Sequence, residues 1–118
     1  MTQIHDLNQM PPRLRPNFES KVIASDGLMC IWVTVAAGTH TVAHQHPNEQ
    51  VTWLRSGRMR YRIGDGEPVE CGPDSVVHIP GGIEHEVWYV ETCHYVEMFA
   101  PPRWDLYPSL KPAHPEAV

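Results

Sequence analysis

His44 and His46 stand two residues apart in the stretch GTHTVAHQHPNEQ. Residues i and i+2 of an extended strand share a face, so both imidazoles point the same way and make a two-pronged metal grip. Pro47 and Asn48 then bend the chain, and Gln50 returns four residues after His46, where its amide oxygen can reach the same point. Further along, PGGIEH offers another imidazole, His85, just after a tight turn. Three imidazoles and an amide suit one divalent transition metal per chain, at ligand distances of roughly 2.0–2.2 Å. Zn, Mn, Fe, Ni and Co all accept such donors, with availability deciding among them. Of the eight histidines, the other five read as non-ligands. His40 shares the parity of His44 but lies across a turn-prone stretch and reads as solvated. His78 alternates opposite Val77, and His5, His94 and His114 fall outside both stretches. Glu49, beside Gln50, is held as a reserve ligand.

These donors must be positioned by short strands. Twelve prolines and eight glycines punctuate the 118 residues and leave almost no window for a long helix. The segments 20–24, 28–36, 41–45, 49–55, 58–63, 66–70, 75–79, 85–90 and 93–100 are rich in β-branched or aromatic residues, with turn residues between them. Strands at this spacing, without βαβ alternation, predict an all-β protein of antiparallel sandwich or barrel type. The length predicts one domain. Residues 1–18 form a proline-rich N-terminal arm, 19–103 the β-barrel domain and 104–118 a C-terminal tail. Within the tail, 104–110 could make a short helix, and the chain beyond Lys111 frays.

Composition excludes several classes. A net charge of −5 argues against a nucleic-acid partner, and the arginines at 55, 58, 60 and 62 read as a solvated strand face beside acids such as Glu67 and Glu70. No apolar run approaches the ~20 residues of a membrane span, so no membrane partner is expected. The N-terminus lacks a signal-peptide core, which predicts a cytoplasmic location. Cys30, Cys71 and Cys93, odd in number and far apart, read as reduced thiols. Trp32, Trp53 and Trp88 read as barrel or dimer-interface packing.

Gly38, His44, His46, Gln50 and Gly57 resemble the first motif of the cupin superfamily, and Pro80, Gly82 and His85 resemble the second. The chain is identified on these motifs as a small single-domain metallo-cupin. The resemblance implies a jelly-roll β-barrel of two antiparallel sheets with Greek-key connections and a metal at its mouth. There are departures. The family's usual metal-binding Glu is Gln50, Glu49 lies one position too early, the second motif's leading Gly is Asp74 and its trailing Asn is Tyr89. Three His and one Gln bring no charge, so a bound ion keeps its full 2+, which favours Lewis-acid over redox chemistry.

The form HPNEQ, followed by EMFAPPR at the end, is also similar to the cupins that linearise uronates in pectin and alginate breakdown. That resemblance implies that Glu97 is the catalytic acid–base group and that Arg103 binds a substrate carboxylate. Glu97 has a physical claim of its own, being a carboxylate inside an apolar, aromatic strand where an unpaired charge is costly. Strand parity groups Tyr95, Glu97 and Phe99 against His94, Val96 and Met98, and both faces carry good core residues. With Glu97 in the pocket, Tyr95 joins Arg103 as a substrate-binding candidate. Arg60 is a third, as an arginine at the barrel rim that could bind an anion bidentately. The leading expectation is a lyase or isomerase acting on a small carboxylate-bearing molecule, such as uronate ring opening. The alternatives are an iron cupin dioxygenase and a non-catalytic small-ligand-binding cupin. Apolar edge strands and the arm suit a homodimer.

Overall fold

The protein is described here by a computed structural model covering residues 4–112, so His114 and the end of the expected tail lie outside the described residues. Ten strands are present: β1 (Arg13–Arg15), β2 (Phe18–Ala24), β3 (Met29–Val35), β4 (His40–His44), β5 (Glu49–Ser56), β6 (Met59–Ile63), β7 (Val69–Cys71), β8 (Val76–Ile79), β9 (His85–Tyr89) and β10 (Cys93–Ala100). They form a six-stranded sheet, β1-β2-β3-β10-β5-β8, and a four-stranded sheet, β4-β9-β6-β7. Every pairing is antiparallel. From β3 onward the chain passes repeatedly between the sheets, giving the jelly-roll barrel expected from the motifs.

Alternation sets the core. On β3 the residues Met29, Ile31, Val33 and Val35 face inward and are buried, while Cys30, Trp32 and Thr34 face out. Met59, Tyr61, Val87, Tyr89, Cys93, Tyr95 and Phe99 join them from other strands, and β5, β7 and β8 add Leu54, Cys71, Val77 and Ile79. The three cysteines are free thiols. Of the four tryptophans, Trp32, Trp53 and Trp88 do not fill the barrel. Trp32 lies on the outward face of β3, Trp53 is 37% exposed, and Trp88 stacks on His40 at 5.3 Å. Parity explains this, since each sits one residue from an inward-facing position.

The arm carries an edge strand. Its β1 adds to the edge of the large sheet through a tight turn at Pro16–Asn17, where Asn17 takes a φ of 67°. The expected strand over 66–70 is shifted to Val69–Cys71, and the expected helix over 104–110 is a 3-10 turn at Pro108–Leu110. Pro108 supplies the fixed φ that opens that turn but denies a backbone donor to anything longer. Asp74, where the motif has a glycine, takes a φ of 69°, a region that Asp tolerates better than most residues. Its carboxylate accepts from Trp53 Nε1 at 3.1 Å, which ties this turn to β5. Among the described residues no helix is long and apolar enough to cross a membrane.

Candidate metal centre

β4, β5, β9 and the loops beside them bring His44, His46, Gln50 and His85 to one end of the barrel. His44 ends β4 opposite His85, which begins β9, and a bulge lies between Thr41 and His44. The bulge resolves the parity of His40. Without it His40 and His44 would share a face; with it His40 turns outward to Glu86 at 2.6 Å while His44 turns in. Gly81 lets the second motif close on the first, because a Cβ there would strike the Pro47 carbonyl. Gly82 N–H donates to the His46 carbonyl at 2.8 Å, locking the two loops together.

The metal-ligating atoms of His44, His46 and His85 lie within 4.8 Å of one another. Each ring is aimed by the same device, since Nδ1 meets a carbonyl two residues away. The pairs are His44 with Val42 (2.9 Å), His46 with Asn48 (3.0 Å) and His85 with Ile83 (3.0 Å). A carbonyl can only accept, so the proton sits on Nδ1 and the Nε2 lone pair is left to face the others. His85 Nε2 is buried with no hydrogen-bond partner among the described residues. Burial pushes the His85 pKa down to about 4 and also lowers that of His46, which keeps both rings neutral.

Gln50 is oriented just as firmly. Its Nε2 donates to Thr52 Oγ1 at 2.9 Å and to Glu97 Oε1 at 3.1 Å, so its carbonyl Oε1 faces His46 Nε2, 3.1 Å away. With the His46 proton on Nδ1, these two atoms are both acceptors. Two ligands ~2.1 Å from one ion lie roughly 3 Å apart, so the spacing fits a shared cation better than a direct hydrogen bond. A buried orphan Nε2 and two facing lone pairs suit a divalent metal in this donor set.

A cavity of about 230 Å³ opens beside the cluster. Among the residues lining it are His44, Gln50, His85, Tyr61, Tyr89, Tyr95, Glu97, Arg15 and Arg103. Glu97 is half-buried on the inward face of β10, which settles the parity the strand left open. Desolvation pushes its carboxyl up to about 7, against the opposing fields of Arg103 and Arg15. Burial and the nearby Glu97 charge raise the phenols of Tyr61 and Tyr95 well above their usual range and Tyr89 to about 12, so all three remain donors. Arg103 is 8% exposed; its Nε and Nη2 donate to Asp105 at 3.0 and 2.8 Å.

Two candidates end up outside the cavity. Arg60 does not line it; its guanidinium pairs with Glu70 at 2.7 Å on the outer face of the small sheet, because β6 buries the alternate residues Met59 and Tyr61. Glu49, the reserve ligand, faces outward and meets His78 at 3.3 Å. Glu84 and Glu86 turn away from His85, as alternation requires, and pair with Arg62. The cavity also holds residues that the sequence did not single out as its walls. Tyr61 and Arg15 lie outside both motifs, and Tyr89 stood only in place of the second motif's trailing Asn.

Several solved structures share this architecture. KdgF from Halomonas sp. is 20% identical with a TM-score of 0.78, the match covering 86% of this chain and 96% of that one. An RmlC-like cupin from Shewanella frigidimarina is 16% identical with a TM-score of 0.82, covering 90% and 96%. Oxalate decarboxylase from Bacillus subtilis is 16% identical with a TM-score of 0.72, covering 82% of this chain and 29% of that one. No curated protein matches the chain. The family model for the cupin domain matches residues 31–99, which contain both histidine motifs and every strand that carries a donor of the cluster, and the chain belongs to the cupin family.

Proposed function

We propose that the protein is a metal-dependent enzyme that acts on a small, oxygen-rich carboxylate by Lewis-acid chemistry, as a lyase or isomerase, with uronate ring opening as the specific case. The observation that carries this reading is the contact between Gln50 and Glu97, which joins the donor cluster to the acid of the cavity at 3.1 Å. A bound divalent ion, not neutralised by its three imidazoles and one amide, would polarise a substrate oxygen. Glu97 Oε1 is occupied by the Gln50 amide, and Oε2 is left to give or take a substrate proton. A carboxyl near 7 can do either at neutral pH. The phenols of Tyr61, Tyr89 and Tyr95 offer donors to hydroxyl or ring oxygens. The cavity, about 230 Å³, lies below the usual range for drug-sized ligands and favours a single small metabolite. The similarity of the HPNEQ and EMFAPPR segments to uronate-linearising cupins supports the specific case. Exposed Ile4 and Leu14 on the arm and Val76 on the edge strand β8 support a homodimer, which light scattering of the purified protein tests.

The deciding experiment reconstitutes the protein with zinc, which has no redox chemistry, and follows unsaturated uronates by NMR. Ring opening with zinc, slowed by roughly 10²–10⁴ in Glu97→Gln, is the expected result. Turnover that requires iron and consumes oxygen would replace this reading with a dioxygenase. Binding without turnover under every metal would make the protein a binding module.

A further inference from the structure

We propose that Arg15, on the N-terminal strand β1, is the anion anchor of the cavity and receives the substrate carboxylate that the sequence motif assigns to Arg103. This deepens the reading above and rests on it. Both arginines line the cavity, but their guanidinium groups are committed differently. Arg103 presents its Nε–Nη2 edge to the Asp105 carboxylate in a two-point pair, so the edge best shaped for a substrate carboxylate is filled. Arg15 has no carboxylate within ion-pair distance among the described residues.

Arg15 is nevertheless held in place. The Pro16–Asn17 turn pairs Arg15 with Phe18, and the guanidinium carbon lies 4.3 Å from the Phe18 ring centroid. Phe18 in turn packs edge-on against Tyr89 at 6.0 Å. Stacking uses the face of a guanidinium and leaves its in-plane N–H groups free, so Arg15 is positioned without spending its donors. A small adjoining hollow of about 40 Å³ is lined by Arg15, Phe18, Tyr95 and Glu97 and by none of the histidines. The space therefore runs from the imidazole cluster past Glu97 to Arg15. A ligand filling it has an oxygen at the histidines, its labile proton near Glu97 and a carboxylate on Arg15. That describes a hydroxy acid of monosaccharide size.

Isothermal titration of the zinc-loaded protein with D-glucuronate, and with D-glucose as its uncharged counterpart, tests this. Arg15→Gln should weaken glucuronate binding by roughly 10- to 100-fold and collapse the preference for the acid over glucose, the usual range for losing a charge-assisted pair. Arg15→Lys, which keeps the charge but not the fork, should retain part of that preference. Arg55→Gln, whose side chain stacks on Trp53 outside the cavity, should change nothing. Wild-type affinity in Arg15→Gln together with a loss in Arg103→Gln would overturn the proposal and return the carboxylate to Arg103, leaving the functional reading intact. Failure of the wild-type protein to prefer glucuronate would overturn both.

Discussion

Two polar clusters lie on opposite faces of the small sheet, and they are built on opposite principles. On the outside, Arg58 and Arg60 share Glu70, Arg62 holds Glu84 and Glu86, and His40 meets Glu86, so cation and acid are matched beside water. On the inside, three imidazoles and an amide turn acceptor atoms toward one another, with His85 Nε2 buried and without a partner among the described residues. Exposed pairs of the outer kind contribute little to stability and are screened by salt. A buried acceptor without a donor costs stability, so the inner arrangement is explained by what it can bind and not by what it holds together. The contrast teaches that the density of charged residues is a poor guide to the site. The dense outer cluster is matched within itself beside water.

The sharpest way to break the comparison is to remove an inner donor. His85→Ala should reduce transition-metal content from close to one ion per chain to near zero, measured by elemental analysis of protein purified without chelator. Full occupancy in that variant would separate β9 from the site. Next in size, Glu97→Gln should keep the metal but lower turnover by roughly 10²–10⁴, the range for a lost general acid–base group. Gly81→Ala, which pushes a Cβ onto the Pro47 carbonyl, should destabilise the fold by about 1–3 kcal/mol in urea titration and loosen metal binding with it.

The pH dependence of the metal-free protein sharpens the comparison further. The Glu97 pKa is raised to about 7, so its contribution to stability is present below its unfolded value and lost as pH rises through about 7. The His85 pKa is lowered to about 4, so its contribution is present above its unfolded value near 6.5 and lost as pH falls toward 4. Between pH 4.5 and 6.5 the two slopes oppose each other. Glu97→Gln should therefore gain stability over wild type as pH rises from 4.5 to 7, by about 2 kcal/mol, read from melting temperatures across that range. A difference that does not change with pH would mean that Glu97 is not desolvated. The smallest effect belongs to the outer cluster. Arg60→Ala should leave metal content, ligand binding and melting temperature unchanged within error.

The cluster was legible because its signal is local. His44, His46 and Gln50 are fixed relative to one another by a strand end and one bend, and His85 by a turn rich in glycine. Arg60 was misplaced for an equally simple reason. Alternation on β6 already assigned Met59 and Tyr61 inward, and an arginine between them has to face water. His40 shows the limit of such counting, because one bulge reverses the parity it shares with His44.

From the sequence alone came the class of fold, the order of the strands along the chain and the four inward donors. Periodicity and short-range spacing survive in one dimension, because they are set by backbone geometry within a few residues. The direction of Glu97 did not, since both faces of β10 are apolar enough to be core and only its neighbours β3 and β5 decide which face the barrel encloses. The two arginines depended on tertiary structure in the same way. Asp105 closing the fork of Arg103, and Phe18 holding that of Arg15 open at the cavity, are contacts between side chains, and residue order does not encode side-chain direction at a turn.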